Sequence, residues 1–222
     1  MKDVGGILPL HTAAGYGASA AVVAALLAAY PAGAAACNRD RHLPLHHALV
    51  QNAADDVILL LLRAHPPGAA ATDTSGNLPI HLAAKHQASA NVVDALLAAH
   101  LGGAAARSGS GSLPLHIALE SKPPAETIAM SAPLDPGQPR TTESSEQEKD
   151  GSEKVVAALL RASSAAAAAE NRRGDLPLHL ALRHEAAPGV VRRLLATYKE
   201  AAARRNGDGA LPLHVAVVNG KP

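Results

Sequence analysis

The sequence predicts an all-α chain: a solenoid of paired short helices with hairpin-like turns between repeats. Three features predict it. A Leu-Pro-Leu-His tetrapeptide recurs on a 35-residue period, aliphatic doublets at helical spacing follow each complete copy, and the chain has no Phe or Trp from which to build one centred core.

The tetrapeptide starts at Leu8, Leu43, Leu113, Leu176 and Leu211, with Leu-Pro-Ile-His at Leu78. Successive starts lie 35, 35, 35, 63 and 35 residues apart, and the odd step is one period plus 28 inserted residues. Self-similarity at a fixed period of this length marks a repeat architecture. One repeat domain spans 1–222, with repeats at 3–37, 38–72, 73–107, 108–170, 171–205 and an incomplete 206–222.

Each unit reads as two helices. Proline suits the first helical position, where its fixed φ helps and its missing N–H costs nothing. Helix one runs about eight residues from it, with Leu10, Ala13 and Ala14 as the apolar stripe of the first copy. Helix two starts near Ser19, Ser89 and Ser152, whose hydroxyls suit an N-cap, and near Asp55-Asp56 and Pro188 in the other copies. Its apolar residues (Val22, Val23, Leu26 and Leu27 in the first copy) recur at three- and four-residue spacing, which is one helix face. The dozen residues before the next Leu-Pro hold turn formers such as Asp73-Thr74-Ser75-Gly76-Asn77. Helices this short do not hold alone in water, so each unit must bury its face on its neighbours.

Composition narrows the class further. Nearly a quarter of the 222 residues are Ala and three are Tyr, which suits thin layers of closely approaching helices. A net charge of +1 gives no global attraction to nucleic acid or membrane. Cys37 is the only cysteine, so no intrachain disulfide forms and a reducing compartment fits. With no signal-peptide h-region and no 20-residue apolar run, the expected location is the cytoplasm.

Leu-Pro-Leu-His-x-Ala, an interhelical turn, then Val-Val-x-x-Leu-Leu resembles the ankyrin repeat, whose unit opens Thr-Pro-Leu-His-x-Ala. The resemblance covers nearly the whole chain apart from the insertion. It implies a curved stack of L-shaped units, with turns projecting to one side and first helices lining a concave face. It also implies that the motif histidines His11, His46, His81, His116, His179 and His214 tie turn to helix by hydrogen bonds. This chain departs from the pattern in three ways. Leu replaces Thr in all six copies, which removes a hydroxyl cap; the period is 35 rather than 33; and the tract after helix two reads Tyr30-Pro31-Ala32-Gly33-Ala34-Ala35-Ala36. A pentatricopeptide array shares the 35-residue period, but its helices would fill the stretch that turn residues occupy here.

Chemistry is sparse. Neighbouring layers of packed helices lie ~8–10 Å apart, whereas ligands of one zinc sit ~2 Å from the ion, so successive motif histidines cannot share a metal. His46 and His47 diverge on a helix. No nucleophile, base and orienting group come together, and no Gly-rich loop has phosphate-binding spacing. Cys37 reads as a small packing residue. We expect no catalysis, no cofactor and no metal.

Positions that vary between copies are free of scaffold duty. After the constant Ala they are Gly15, Val50, Lys85, Glu120, Arg183 and Val218, then Tyr16, Gln51, His86, Ser121, His184 and Asn219. Turn tips vary as well: Arg39, Arg41 and His42; Ser75 and Asn77; Arg172, Arg173 and Asp175. In the family such positions meet partners. The candidate contacts are therefore Tyr16, Arg39, Arg41, His42, Gln51, Lys85, His86, Glu120, Arg172, Arg173, Arg183 and His184, with Tyr16, His86, Arg183 and His184 as the anchors.

The insertion, read as disordered over 122–151, is rich in Pro, Ser, Thr and Glu. Residues 122–153 carry three basic and seven acidic residues, whereas 159–222 carry ten basic and five acidic. An acidic loop, deepened by phosphorylation of Ser145, is expected to compete with an acidic partner for the basic half.

The first expectation is a non-catalytic interaction scaffold, a monomer or part of a longer chain, that holds another protein on its concave face and turn tips without membrane contact. The alternatives are a regulatory or targeting segment of a larger enzyme, and a nucleic-acid binder using the basic C-terminal repeats.

Overall fold

Six Leu-Pro steps open six helices. They are α1 (Pro9–Gly15), α3 (Pro44–Val50), α5 (Pro79–Lys85), α7 (Pro114–Glu120), α9 (Pro177–Arg183) and α11 (Pro212–Asn219). Between them run α2 (Ala20–Ala29), α4 (Asp55–Ala64), α6 (Ala90–Ala99), α8 (Glu143–Ala162) and α10 (Pro188–Thr197). This computed structural model describes residues 5–121 and 143–219, and among them all regular structure is helical. No described helix is long and apolar enough to cross a membrane.

The proline is the first residue of every odd-numbered helix, as its fixed φ favours. The even-numbered helices start less uniformly. Ser89 caps α6, accepting from the Val92 N–H at 3.3 Å, while Ser19 holds the cap position of α2 without a side-chain bond. Ser152 is not a cap. It lies inside α8, which begins at Glu143, so residues 143–151 are helix rather than the disordered end of the insertion. That stretch holds Glu, Gln and Lys, which are good helix formers, and its acidic residues suit a helix N-terminus. The rest of the insertion, 122–142, lies outside the described residues.

Helices stack like on like. α1, α3, α5, α7, α9 and α11 pack in succession, and so do α2, α4, α6, α8 and α10 behind them. The Val and Leu doublets fill the space between: Val92, Val93, Leu96 and Leu97 of α6 and Val155, Val156, Leu159 and Leu160 of α8 are all buried. Val22, at the same place in α2, is half exposed because no described helix precedes it in the stack.

A third helical piece follows each even-numbered helix. Five-residue 3-10 segments cover Pro31–Ala35, Pro66–Ala70, Leu101–Ala105, Ser164–Ala168 and Lys199–Ala203. A turn then closes with two backbone bonds. In the first, the Asn38 N–H donates to the His42 carbonyl and the Arg41 N–H to the Asn38 carbonyl, at 3.0 and 3.1 Å. The fourth residue of each turn is left-handed: Gly76, Gly111, Gly174 and Gly209 at φ 70–81°, but Arg41 at φ 59° in the first.

The motif histidine joins these parts. Leu at the N-cap has no oxygen to offer, so the helix is closed from the other side: the N-cap N–H donates to Nδ1 of the histidine three residues on, at 3.0–3.2 Å in all six copies. In the first five, Nε2–H donates across to a distant carbonyl at 3.0–3.1 Å: the last residue of the next turn for His11 (His42) and His179 (Ala210), and the residue that follows the 3-10 segment for His46 (Ala71), His81 (Ala106) and His116 (Ala169). One nitrogen accepts and the other donates, so the ring works only as the neutral tautomer.

Burial lowers the pKa of His46, aided by neighbouring His42 and opposed by its Ala71 bond, from 6.5 to about 4. Burial likewise takes His116 to about 4 against the Ala169 bond, and it lowers His81 and His179. Between the unfolded 6.5 and these values the unfolded chain binds more protons than the folded one. Stability is therefore full above 6.5 and falls as pH drops towards about 4, by at most ~1.4 kcal/mol per pH unit for each histidine. Urea midpoints measured from pH 7.5 to 4 should show this slope, and a flat profile would contradict it. Arg41→Gly removes the left-handed strain of a residue with a Cβ at that turn. It should raise stability by ~0.5–1 kcal/mol in the same assay.

Candidate functional site

Four of the five turns are held by their own first side chain, and in the other Ser108 Oγ meets Ser110 Oγ at 2.7 Å. Asn38 Oδ1 accepts from the Asp40 and His42 N–H groups, Asp73 Oδ1 from Ser75 and Asn77, Asn171 Oδ1 from Arg173 and Asp175, and Asn206 Oδ1 from Asp208 and Ala210. Turns also touch their neighbours. The Thr74 N–H donates to the Asp40 carbonyl and the Gly207 N–H to the Arg173 carbonyl, both at 3.1 Å. A Cβ on Gly109 or Gly207 would run into the carbonyl of Ser75 or Arg173, so glycine sets how closely these turns approach.

Where turns meet odd-numbered helices, three clefts adjoin. The first, about 380 Å³, lies between repeats three and four and takes in Ser75, Asn77, Lys85, Glu120 and Ser121. The second, about 510 Å³, lies between repeats four and five, with Ser110, Glu120, Arg172, Arg173, Arg183 and His184 on its walls. The third, about 190 Å³, includes Arg183, Asn206, Asp208 and His214. Ser110 and Glu120 belong to the first two clefts and Arg183 to the last two, so they form one line along the stack. Its floor carries Leu82, Ile117 and Leu180.

The electrostatics are uneven. Asp175 is buried under the turn; burial alone would raise its carboxyl, but hydrogen bonds from Arg183 and Asn206 and the Arg183 charge hold it below the usual value. Arg183 grips it with both Nη atoms, at 2.7 and 3.0 Å, and Asn206 Nδ2 donates at 2.8 Å. The same carboxylate raises the Arg183 pKa. Arg172 instead spends one Nη on the Gly109 carbonyl at 2.8 Å, and both Arg172 and Arg173 are exposed.

The structure thus gathers Lys85, Glu120, Arg172, Arg173, Arg183 and His184 into one groove and leaves the other candidates outside these three clefts. Tyr16 is 75% exposed on the first repeat, its ring 6.3 Å from that of His47. Arg39, Arg41 and Gln51 are exposed nearby. His42 is half-buried, stacked on His46 at 5.7 Å with its Nε2 3.7 Å from Asp73 Oδ2. His86 is half-buried, its pKa lowered by burial and by Lys85. Asp175, a variable turn tip in sequence, is an internal strut, and Cys37 is exposed rather than packed. Ser110, Asn171 and Asp208 line the groove unannounced, because in sequence they are ordinary turn residues. Among the described residues no group of three or more His, Cys, Asp or Glu is placed to hold a metal. The proposed competition by the acidic loop falls on 122–150, whose side chains lie outside the described residues.

No protein-family model matches the chain, and no curated protein matches it.

Two arginines of one cleft should behave differently. Arg183→Met leaves a buried carboxylate without its bidentate partner and should cost ~2–4 kcal/mol of stability. Arg172→Met, on an exposed side chain, should stay within ~0.5 kcal/mol of wild type. Equal losses in denaturant titrations would show that the ion pair carries no special weight.

Proposed function

We propose that the chain is an ankyrin-type solenoid that holds a segment of a partner protein in the groove between its turns and first helices. The observation that carries this reading is the coincidence of two independent patterns. Positions constant across the copies are inside the stack: the motif histidines of the first five repeats are buried, as are the Ala48, Ala83, Ala118 and Ala181 side chains beside them. Among the positions that vary across the copies, Lys85, Glu120, Arg183 and His184 face one line of clefts instead. A scaffold that repeats exactly where it packs and differs where it faces a groove is organised to present a specific surface.

The groove also suits a polypeptide. It has an apolar floor and walls of hydroxyls, amides and charges, the mix that a protein segment satisfies with its own backbone and side chains. The opposite side of the stack offers less. Its cleft between α6 and α8 is lined mainly by Leu97, Ala98, Leu101, Ala158 and Ala162, beside an exposed Arg161–Asp94 pair at 3.0 Å.

Photo-crosslinking tests the placement. A benzoylphenylalanine at Lys85 or Arg173 should capture a discrete partner from the native cell, and the same probe at Asp94 or Arg161 should not. Capture of the same species with equal yield from both sides would remove the groove from the reading.

A further inference from the structure

We infer that the cleft between repeats four and five takes a segment of partner protein that carries at least two carboxylates. The inference rests on the groove reading above and adds the chemistry of the occupant. Its starting point is uncompensated charge. Arg183 is neutralised by Asp175, but among the described residues no carboxylate pairs with Lys85, Arg172 or Arg173. Arg172 meets only the neutral Gly109 carbonyl, which holds its guanidinium in place without cancelling its charge.

The backbone that carries the two arginines is also fixed. Arg173 donates its backbone N–H to Asn171 Oδ1 at 2.9 Å, and its carbonyl accepts from the Gly207 N–H at 3.1 Å, so the turn that carries both side chains is pinned on two sides. The Arg172 stem lies over Gly111, against which a Cβ would collide. Planar guanidinium groups on a fixed backbone suit bidentate recognition of carboxylates better than mobile ammonium groups do.

The same surface disfavours a nucleic acid. Glu120 lies in both of the first two clefts and Asp208 in the third, so a continuous phosphate chain would meet a negative charge at each step. No Phe, Tyr or Trp lines the three clefts to stack a base. A peptide can place its acidic residues opposite Arg172 and Arg173 and a neutral or basic one opposite Glu120.

Fluorescence anisotropy on the full chain decides it, with three labelled probes: a short peptide of alternating Glu and Gly, its Lys counterpart, and an oligouridine of similar length. The Glu peptide should bind most tightly, more weakly as salt rises. R172E/R173E should weaken it about tenfold or more while thermal unfolding stays near wild type. Unchanged binding of the Glu peptide to that variant would overturn the assignment to this cleft. If only the Lys peptide binds, the groove still takes peptides but the acidic occupant is wrong. Binding of oligouridine alone would hand the surface to nucleic acid. If no probe binds, the acidic occupant is excluded, and the groove reading falls with it only when the Lys85 and Arg173 crosslinks are absent too.

Discussion

One imidazole per layer carries the architecture. Each odd-numbered helix is too short to persist alone, and its N-cap is a leucine that cannot supply the usual side-chain oxygen. The motif histidine resolves both problems with one ring. Nδ1 closes the N-cap N–H of its own helix, and Nε2–H reaches a distant carbonyl: just behind the 3-10 segment of the same repeat for His46, His81 and His116, and just before the next Leu-Pro step for His11 and His179. The start of the helix and the placement of the chain beside the following turn thereby become a single interaction. In the first five layers the ring is buried, so losing it leaves a donor and an acceptor unsatisfied as well as a cavity. The same burial that makes the bond strong makes it intolerant of a second proton.

The groove follows from that constraint. Turns beside a carbonyl that a histidine holds, and bound to one another through their backbones, keep the side chains they carry in a fixed position relative to the helices behind them. Arg172 and Arg173 belong to this rigid class. Arg183 shows the opposite use of the same residue type, since its guanidinium is absorbed by Asp175 and braces the turn it faces. Proximity to a cleft thus does not make every charge available to a ligand; the neighbouring carboxylate decides.

Much of this was legible in the sequence, for definable reasons. Proline after leucine marked every odd-numbered helix because few other places in a chain accept a residue without an N–H. The Val and Leu doublets marked the even-numbered helices because their spacing is the helix period itself. The 3-10 segments escaped notice since Ala-Gly tracts carry no hydrophobic pattern. Ser152 misled as a cap because a serine inside a helix reads the same in sequence as one at its start. Asp175 misled for a deeper reason: variability between copies signals freedom only when no covarying partner exists, and Arg183 and Asn206 are its partners in this repeat alone.

The insertion shows how local the rules of such a stack are. His116 reaches the Ala169 carbonyl across 53 residues, whereas His46 and His81 reach the equivalent carbonyls across 25; the difference is the 28 inserted residues, and the bond is the same length to within 0.1 Å. The insertion falls at the place of the short interhelical turn, which in other copies closes with an N–H to carbonyl bond such as Ala53 to Ala48 or Ala88 to Ala83. Lengthening a loop costs little, about 0.6 kcal/mol for each doubling. The packed faces of α7 and α8 are unaffected, since Leu115, Leu119, Val155 and Leu159 are as buried as their counterparts elsewhere. An insertion at the Leu-Pro step would instead have separated a histidine from its cap. Growth in the interhelical turn leaves both imidazole bonds of the repeat intact.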